Sequence, residues 1–436
     1  MWGYVTVAFL SGVMAVEEVQ SMRAVDWSPW LTGSGVTEMP TPIDAPDPGA
    51  VAAVERHLSS LAGLGLPAAD QGVWIQSGAE VLASHRGMIP TPAASLTKIP
   101  TTLAALVTWT PDYQFETLVE MQGQLQPDGV LQGNLVIRGG GDPLFVWEEA
   151  IALANALQAR GIGQVTGDLI IVGDFSMNFQ GDPAQSGQFL RQALDAARWP
   201  SEAATQFATL PTGTPRPQIS IGGTVKVASS AADTTPLLKH RSLPLTQILK
   251  AMNIYSNNFI ADDLARQLGG GSQVAQIAAE AATVPSTEIQ LINGSGLGEE
   301  NQISPRAVAT MLMTIQARLQ PYDLTVADFF PVVGRERGTL GGRQIVAGAA
   351  VKTGTLDRVS SLAGVIPTGD RPLVWFSLMD IGTGDLDALH RGQDRLLQSL
   401  VGQWGTADPL PPDLQPSDRL PSYQQELGNP ARNESL

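Results

Sequence analysis

The 436-residue chain contains no cysteine. That absence excludes a disulfide scaffold, a thiol nucleophile and thiolate metal sites, while leaving the compartment open. Histidine is almost as scarce, with only His57, His85, His240 and His390. None lies in a recognisable triad setting and no Gly-x-Ser-x-Gly elbow occurs, so the sequence argues against Ser-His-Asp chemistry. The same scarcity argues against a histidine-based metal centre, and no cofactor is expected. Positive charge is also short: 26 Lys and Arg stand against 42 Asp and Glu, for a net charge of −16. A nucleic-acid backbone would be repelled, and no dense basic run offsets this. The acidity reads as a solubility device. Long apolar runs are missing too. Trp2 to Ala15 carries no charge, yet it is too short to cross a bilayer comfortably. It suits the apolar core of a secretory signal with small residues near Ala15, although no Lys or Arg precedes it. Export to an extracytoplasmic or periplasmic setting is the resulting expectation.

What is present describes a packed globular protein: 43% hydrophobic and 16% charged residues. Residues 1–26 read as the signal segment and 27–49, rich in Pro, Gly, Asp and Thr, as a linker. Val51, Val54 and Leu58 share one face of an expected helix. Gly72–Ser77 and Glu80–Arg86 read as two strands around a Ser77-Gly78 turn. An apolar run through Leu106 then reads as a buried helix. From Thr117 the period changes to alternation, and residues 117–243 read as a β-rich insertion, looser toward its end, with one helix at Glu148–Arg160. Gly161-Ile162-Gly163 with Gly167 imitates a dinucleotide fingerprint, but it precedes a strand instead of following one. Helical spacing returns at Leu245–Leu268 and Pro305–Leu319, strands at Val359–Val365 and Leu373–Met379, and a last helix at Asp385–Val401. The end, 406–436, is rich in Pro, Gln, Ser and charge and reads as a disordered tail.

Three short motifs carry chemistry. Ser95 and Lys98 are three apart, which puts both side chains on one helical face. A serine hydroxyl needs an adjacent base, and a lysine serves once burial lowers its pKa. Alone, the pair is equally an exposed helix start with Ser95 as cap. Tyr255-Ser256-Asn257-Asn258 falls between two helical stretches. Ser256 would relay a proton there and Asn258 would bind a substrate amide, unless this is only a polar turn. Val351-Lys352-Thr353-Gly354-Thr355 precedes a strand. Lys352 and Thr353 suit a carboxylate, Gly354 admits a substrate backbone, and the N–H groups of Thr355 and Ser95 would form an oxyanion hole. The bland alternative is a strand edge with a surface lysine.

The order Ser-x-x-Lys, Ser-x-Asn, Lys-Thr-Gly is that of β-lactamases and penicillin-binding proteins. Further stretches sharpen this: Pro92-Ala93-Ala94-Ser95 followed by Thr101-Thr102-Leu103-Ala104-Ala105-Leu106, Gly133-Asn134-Leu135 with Gly139-Gly140-Gly141-Asp142-Pro143, Ser256 to Asp262, Asn293-Gly294-Ser295-Gly296-Leu297 with Ser304-Pro305-Arg306, and Lys352 to Leu356 with Ala363-Gly364. Over residues 50 to 400 the chain resembles the class C low-molecular-mass penicillin-binding proteins, the D-alanyl-D-alanine carboxypeptidase/endopeptidase family. The resemblance implies an α+β fold. Residues 50–116 and 244–405 would form a transpeptidase-like domain, an antiparallel sheet flanked by helices with a helical cluster, interrupted by the insertion at 117–243.

The resemblance also implies a mechanism. Ser95 attacks the penultimate D-Ala carbonyl of a peptidoglycan stem peptide, and Lys98 takes its proton. Asn258 holds the peptide, and Lys352 with Thr353 holds the terminal carboxylate. Terminal D-Ala leaves, water releases the acyl-enzyme, and β-lactams act as covalent inhibitors. The same site would cut D-Ala cross-links. Oligomeric state stays open. Pro100 departs from the pattern: its ring would crowd the Leu96 carbonyl in a helix starting near Ala94, and is more easily tolerated in one starting at Leu96 or later. Two rivals remain. A β-lactamase would need a glutamate for deacylation, yet Glu288 precedes Asn293 by one position too many for Glu-x-x-x-Asn. A cell-wall binding module with lost turnover is the other.

Overall fold

The computed structural model describes residues 46–436; the signal segment and nearly all of the linker read from the sequence lie outside them. The first helix, Pro48–Gly63, starts where Asp47 accepts bonds from the N–H groups of Gly49 and Ala50, with proline tolerated at the first position because its missing donor is not needed there. A five-stranded antiparallel sheet follows, in the spatial order Ala350–Leu356, Val359–Ile366, Val374–Ile381, Gly72–Ser77, Glu80–His85. Both faces are covered. Leu362, Ile366, Phe376 and Leu378 meet the helices Pro48–Gly63 and Leu386–Trp404. Their alternates Ala363, Val365, Trp375 and Met379 point to the other face and join the helical core, as the two-residue strand period requires. This double covering is why Val359–Ile366 is buried at every position.

The helical core surrounds Lys98–Thr108, whose Ile99, Leu103 and Ala104 are fully buried among residues of the helices Leu245–Tyr255, Asn258–Gln267, Gly271–Ala282 and Pro305–Leu319. Gly271–Ala282 is a helix that the sequence reading passed over; its Ala-rich face buries only small side chains. In the sequence between Lys98–Thr108 and Leu245–Tyr255 comes most of an eight-stranded sheet, drawn mostly from residues 116–241. Thr235–Arg241, Glu116–Leu125 and Val130–Gly140 pair antiparallel. Val130–Gly140, Leu169–Asp174 and Val225–Ala228 pair parallel. Parallel neighbours need crossovers, and here Trp147–Ala159 and Pro183–Ala193 supply helices that pack onto the sheet. The insertion is therefore more helical than the single helix expected, and its later part is built around a core of its own.

The expectation of a disordered tail is corrected. Leu414 is fully buried in the helical core, and Leu420, Tyr423 and Leu427 pack against it. Asn433–Ser435 then pairs antiparallel with Leu238–His240 at the edge of the insertion sheet. Arg432 donates to the buried carboxylate of Glu149 at 2.5 Å and to the Arg241 carbonyl at 2.9 Å. Sparse apolar residues anchor this segment, and its polar composition reflects how much of it faces water.

Candidate active site

The geometry of the candidate site begins with a backbone irregularity. Ala94 lies at φ 48, a left-handed conformation that costs energy for a residue with a Cβ. It turns the chain into a short 3-10 turn, Ala94–Thr97, ahead of the α-helix Lys98–Thr108. Side chains three apart eclipse in a 3-10 turn, and the Lys98 ammonium lies 3.1 Å from Ser95 Oγ. Pro100 stands in the first turn of the α-helix, where no backbone donor is required, so the anticipated clash with a longer helix does not arise.

Lys98 is fully buried. Besides Ser95 it donates to Asn258 Oδ1 at 2.8 Å and to the Ser295 carbonyl at 2.8 Å. Burial pushes its pKa from 10.5 to about 7, against an opposing pull from the Asp262 carboxylate. The chemistry of the three partners matters. An amide oxygen and a carbonyl can only accept, whereas a hydroxyl can also donate. A neutral amine has two N–H groups and one lone pair. Giving the N–H groups to Asn258 and Ser295 leaves the lone pair facing the Ser95 O–H.

Asn258 begins the helix Asn258–Gln267, after Leu245–Tyr255 ends at Ser256 in a left-handed cap with φ 53. The Asn257 side chain caps the new helix by accepting from the Ile260 N–H at 3.0 Å. The polar turn thus swings Ser256 and Asn258 to the same rim. Ser256 Oγ accepts from Lys352 Nζ at 3.0 Å. Lys352 is fully buried, and its pKa is held well below the ordinary lysine value, first by burial and then by the Lys98 charge. Thr353 on the same edge strand donates its hydroxyl to Thr339 at 2.7 Å. Gly354 lies against Ser95: a Cβ there would stand 2.9 Å from Ser95 N and 3.0 Å from the Ala93 carbonyl, and would also strike Ser361 Oγ. Thr355 is exposed at the mouth.

The structure therefore joins Ser95, Lys98 and Asn258 in one hydrogen-bonded group, Ser256, Lys352 and Thr353 in a second, and brings Gly354 against Ser95. Sequence reasoning assigned no role to three supports. Asp262 accepts from the N–H groups of Gly294 and Ser295 at 3.1 and 2.8 Å and so fixes the carbonyl that holds Lys98. Gly296, at φ 84, brings that loop so close that a Cβ would strike the Ala94 carbonyl. Ser361 Oγ donates to the Ala93 carbonyl at 2.9 Å. A backbone carbonyl ligand has no side-chain signature; the Asn-Gly-Ser-Gly string was its only trace. Glu288 lies elsewhere, its carboxylate bonded by Ser304 Oγ at 2.5 Å and paired with Arg306. The histidines also stand apart: His57 pairs with buried Asp380 at 3.0 Å, and His240 with Asn433 at 2.9 Å. Among the described residues no acidic, histidine or cysteine group could hold a metal ion.

An antiparallel sheet with a Lys-Thr-Gly edge strand, abutting a helix that opens with a serine and a buried lysine, defines the penicillin-binding fold of serine peptidases. Solved structures share it. Penicillin-binding protein 4 of Haemophilus influenzae superposes with a TM-score of 0.62 at 20% identity, covering 80% of this chain and 99% of that one. A penicillin G-acylated predatory endopeptidase of Bdellovibrio bacteriovorus gives 0.69 at 21% identity, over 84% and 99%. The D-alanyl-D-alanine carboxypeptidase DacB of H. influenzae is 25% identical over 410 residues, spanning 71% of this chain and 85% of its own. The chain belongs to the D-Ala-D-Ala carboxypeptidase 3 (S13) family, whose model matches residues 52–189 and 201–399.

Proposed function

We propose that Ser95 is the nucleophile of a DD-peptidase acting on peptidoglycan stem peptides, with Lys98 as its general base. The observation that carries this is the setting of the Lys98 amine: buried, its pKa pushed by burial to about 7, bonded to two pure acceptors, and 3.1 Å from Ser95 Oγ. The peptide lies along the exposed side of Ala350–Leu356, with Asn258 binding its amide. Attack on the penultimate D-Ala carbonyl places the oxyanion between the N–H groups of Ser95 and Thr355. Thr353 and Lys352 meet the terminal carboxylate, whose negative charge favours the protonated form of Lys352 against the effect of burial. Ser256, bonded to Lys352, passes a proton to the leaving amine. Water then releases the acyl-enzyme. The same approach admits β-lactams as acylating inhibitors, and the setting is extracytoplasmic.

Incubation with a fluorescent penicillin and mass spectrometry of the labelled peptide test the reading. Label on Ser95, lost in Ser95→Ala, together with D-Ala release from a stem pentapeptide is the expected result. A well-folded parent chain that takes no label and releases no D-Ala would overturn it.

A further inference from the structure

A cavity of about 480 Å³ opens between the end of Leu245–Tyr255, the Arg335–Gly338 loop and the C-terminal tail around Tyr423 and Gln424. Two of its wall residues, Tyr255 and Gly338, are chain neighbours of Ser256 and Thr339, which bond to Lys352 and Thr353. Tyr255, 52% exposed, immediately precedes Ser256. Gly338 packs so tightly on the Ile254 carbonyl that no side chain would fit, and Thr339, the next residue, receives the Thr353 hydroxyl bond. The tail is fixed here as well: Gln424 donates to Tyr255 Oη at 3.0 Å and Tyr423 stands edge-on to the Tyr255 ring.

The charges lining this cavity are unevenly satisfied. Glu336 is engaged by Lys250 at 3.1 Å and by the Val332 N–H at 2.7 Å. Asp328 accepts from the N–H groups of Thr325 and Ser417, both at 2.8 Å. Arg335 and Arg337 are exposed, and their guanidinium groups have no ion-pair or hydrogen-bond partner among the described residues. Two uncommitted guanidiniums beside tyrosine walls, in a chain of net charge −16, are a local exception suited to carboxylates.

We propose that this cavity is a subsite for the leaving-group side of a cross-linked substrate: a second, acidic stem peptide whose carboxylates pair with Arg335 and Arg337. The inference rests on the DD-peptidase reading above. The carboxylate of a terminal D-Ala would stop at Thr353, whereas in a cross-link the chain continues past that point, toward Thr339 and the arginine loop. The subsite would thus favour cutting between two stem peptides over trimming a single one, and the tail would be part of the specificity apparatus.

Calorimetric titration of full-length Ser95→Ala protein tests this with two probes, a purified D-Ala-cross-linked peptide dimer and the matching unlinked pentapeptide. The dimer should bind at least tenfold more tightly. Adding Arg335→Gln and Arg337→Gln should abolish that advantage while leaving pentapeptide affinity within twofold, and Arg335→Lys with Arg337→Lys should restore most of it. Matched thermal unfolding midpoints exclude misfolding. Equal affinity for the two probes, or equal loss for both on removing the arginines, would overturn the subsite. Failure of the underlying reading shows separately, as absence of penicillin label on Ser95 in the parent chain.

Discussion

The base role proposed for Lys98 makes a quantitative demand on pH dependence. A lysine at its ordinary pKa of 10.5 is neutral in only ~0.03% of molecules at pH 7, whereas at about 7 the neutral fraction is about one half. Burial therefore multiplies the supply of competent base by ~10³. The rate constant for acylation by a fluorescent penicillin, followed by stopped flow from pH 5 to 9, should rise about tenfold between pH 5 and 6 and level off above about 8. Asp262 raises the Lys98 value, so Asp262→Asn should move this limb toward lower pH. Lys98→Arg should lose at least ~10³-fold, because a guanidinium stays protonated. The same shift is a stability statement. The folded-state value lies below the unfolded one, so the unfolded chain binds more protons between pH 7 and 10.5, and stability rises with pH across that window. The whole shift corresponds to ~5 kcal/mol. Lys98→Met should flatten the stability curve there by about 1.4 kcal/mol per pH unit, measured by urea unfolding. A flat acylation profile from pH 5 to 9, or one still climbing tenfold per unit at pH 9, would refute the reasoning.

Gly354→Ala should cut acylation by at least ~10²-fold, because its Cβ would stand 2.9 Å from Ser95 N and displace an oxyanion donor; a full rate in the stopped-flow assay would count against close approach as the reason for glycine. Glu288→Gln should lower thermal stability through its Ser304 and Arg306 contacts and leave release of the penicilloyl group unchanged; faster or slower deacylation would revive a lactamase-type glutamate. Arg432→Met strands the buried Glu149 carboxylate and should cost about 3–5 kcal/mol in chemical denaturation. Leu414→Ala should cost about 2–5 kcal/mol, since its side chain is fully buried; a loss under ~1 kcal/mol would mean the tail is not part of the folded core.

Legibility in the sequence followed how local each signal was. Gly72–Ser77 was readable because alternation and a Ser-Gly turn act over a few residues, and the structure bounds it at the same positions. The break between Leu245–Tyr255 and Asn258–Gln267 was readable because Ser256 and Asn257 are turn and cap formers. Gly271–Ala282 escaped because its buried face is mostly alanine, which gives little periodic contrast. The parallel pairing in the insertion escaped because Val130–Gly140 meets Leu169–Asp174 only after a helical crossover, and pairing at that separation leaves no mark in either strand. Pro100 left the helix start open in the sequence, and the structure takes the later one: a proline forbidden inside an α-helix is harmless once a 3-10 turn delays the helix to Lys98.

The tail shows the deeper limit. Composition predicts disorder by asking whether a segment can bury enough of its own apolar surface to offset its entropy. Residues 406–436 do not have to meet that condition alone. Leu414 enters a core already assembled by five helices, Arg432 completes a charge that Glu149 and His240 have already buried, and Asn433–Ser435 extends an existing sheet edge. Each contact is stabilising only because the partner surface exists first, so the ordering free energy belongs to the pair and not to the segment. The same holds at the active site. Lys98 is held beside Ser95 by Asn258 and Ser295, which reach it from 160 and 197 residues away, and no window around Ser95 contains that fact. Motif order hinted at the convergence; the lowered proton affinity arises only once the dry core surrounds the amine, against the pull of Asp262.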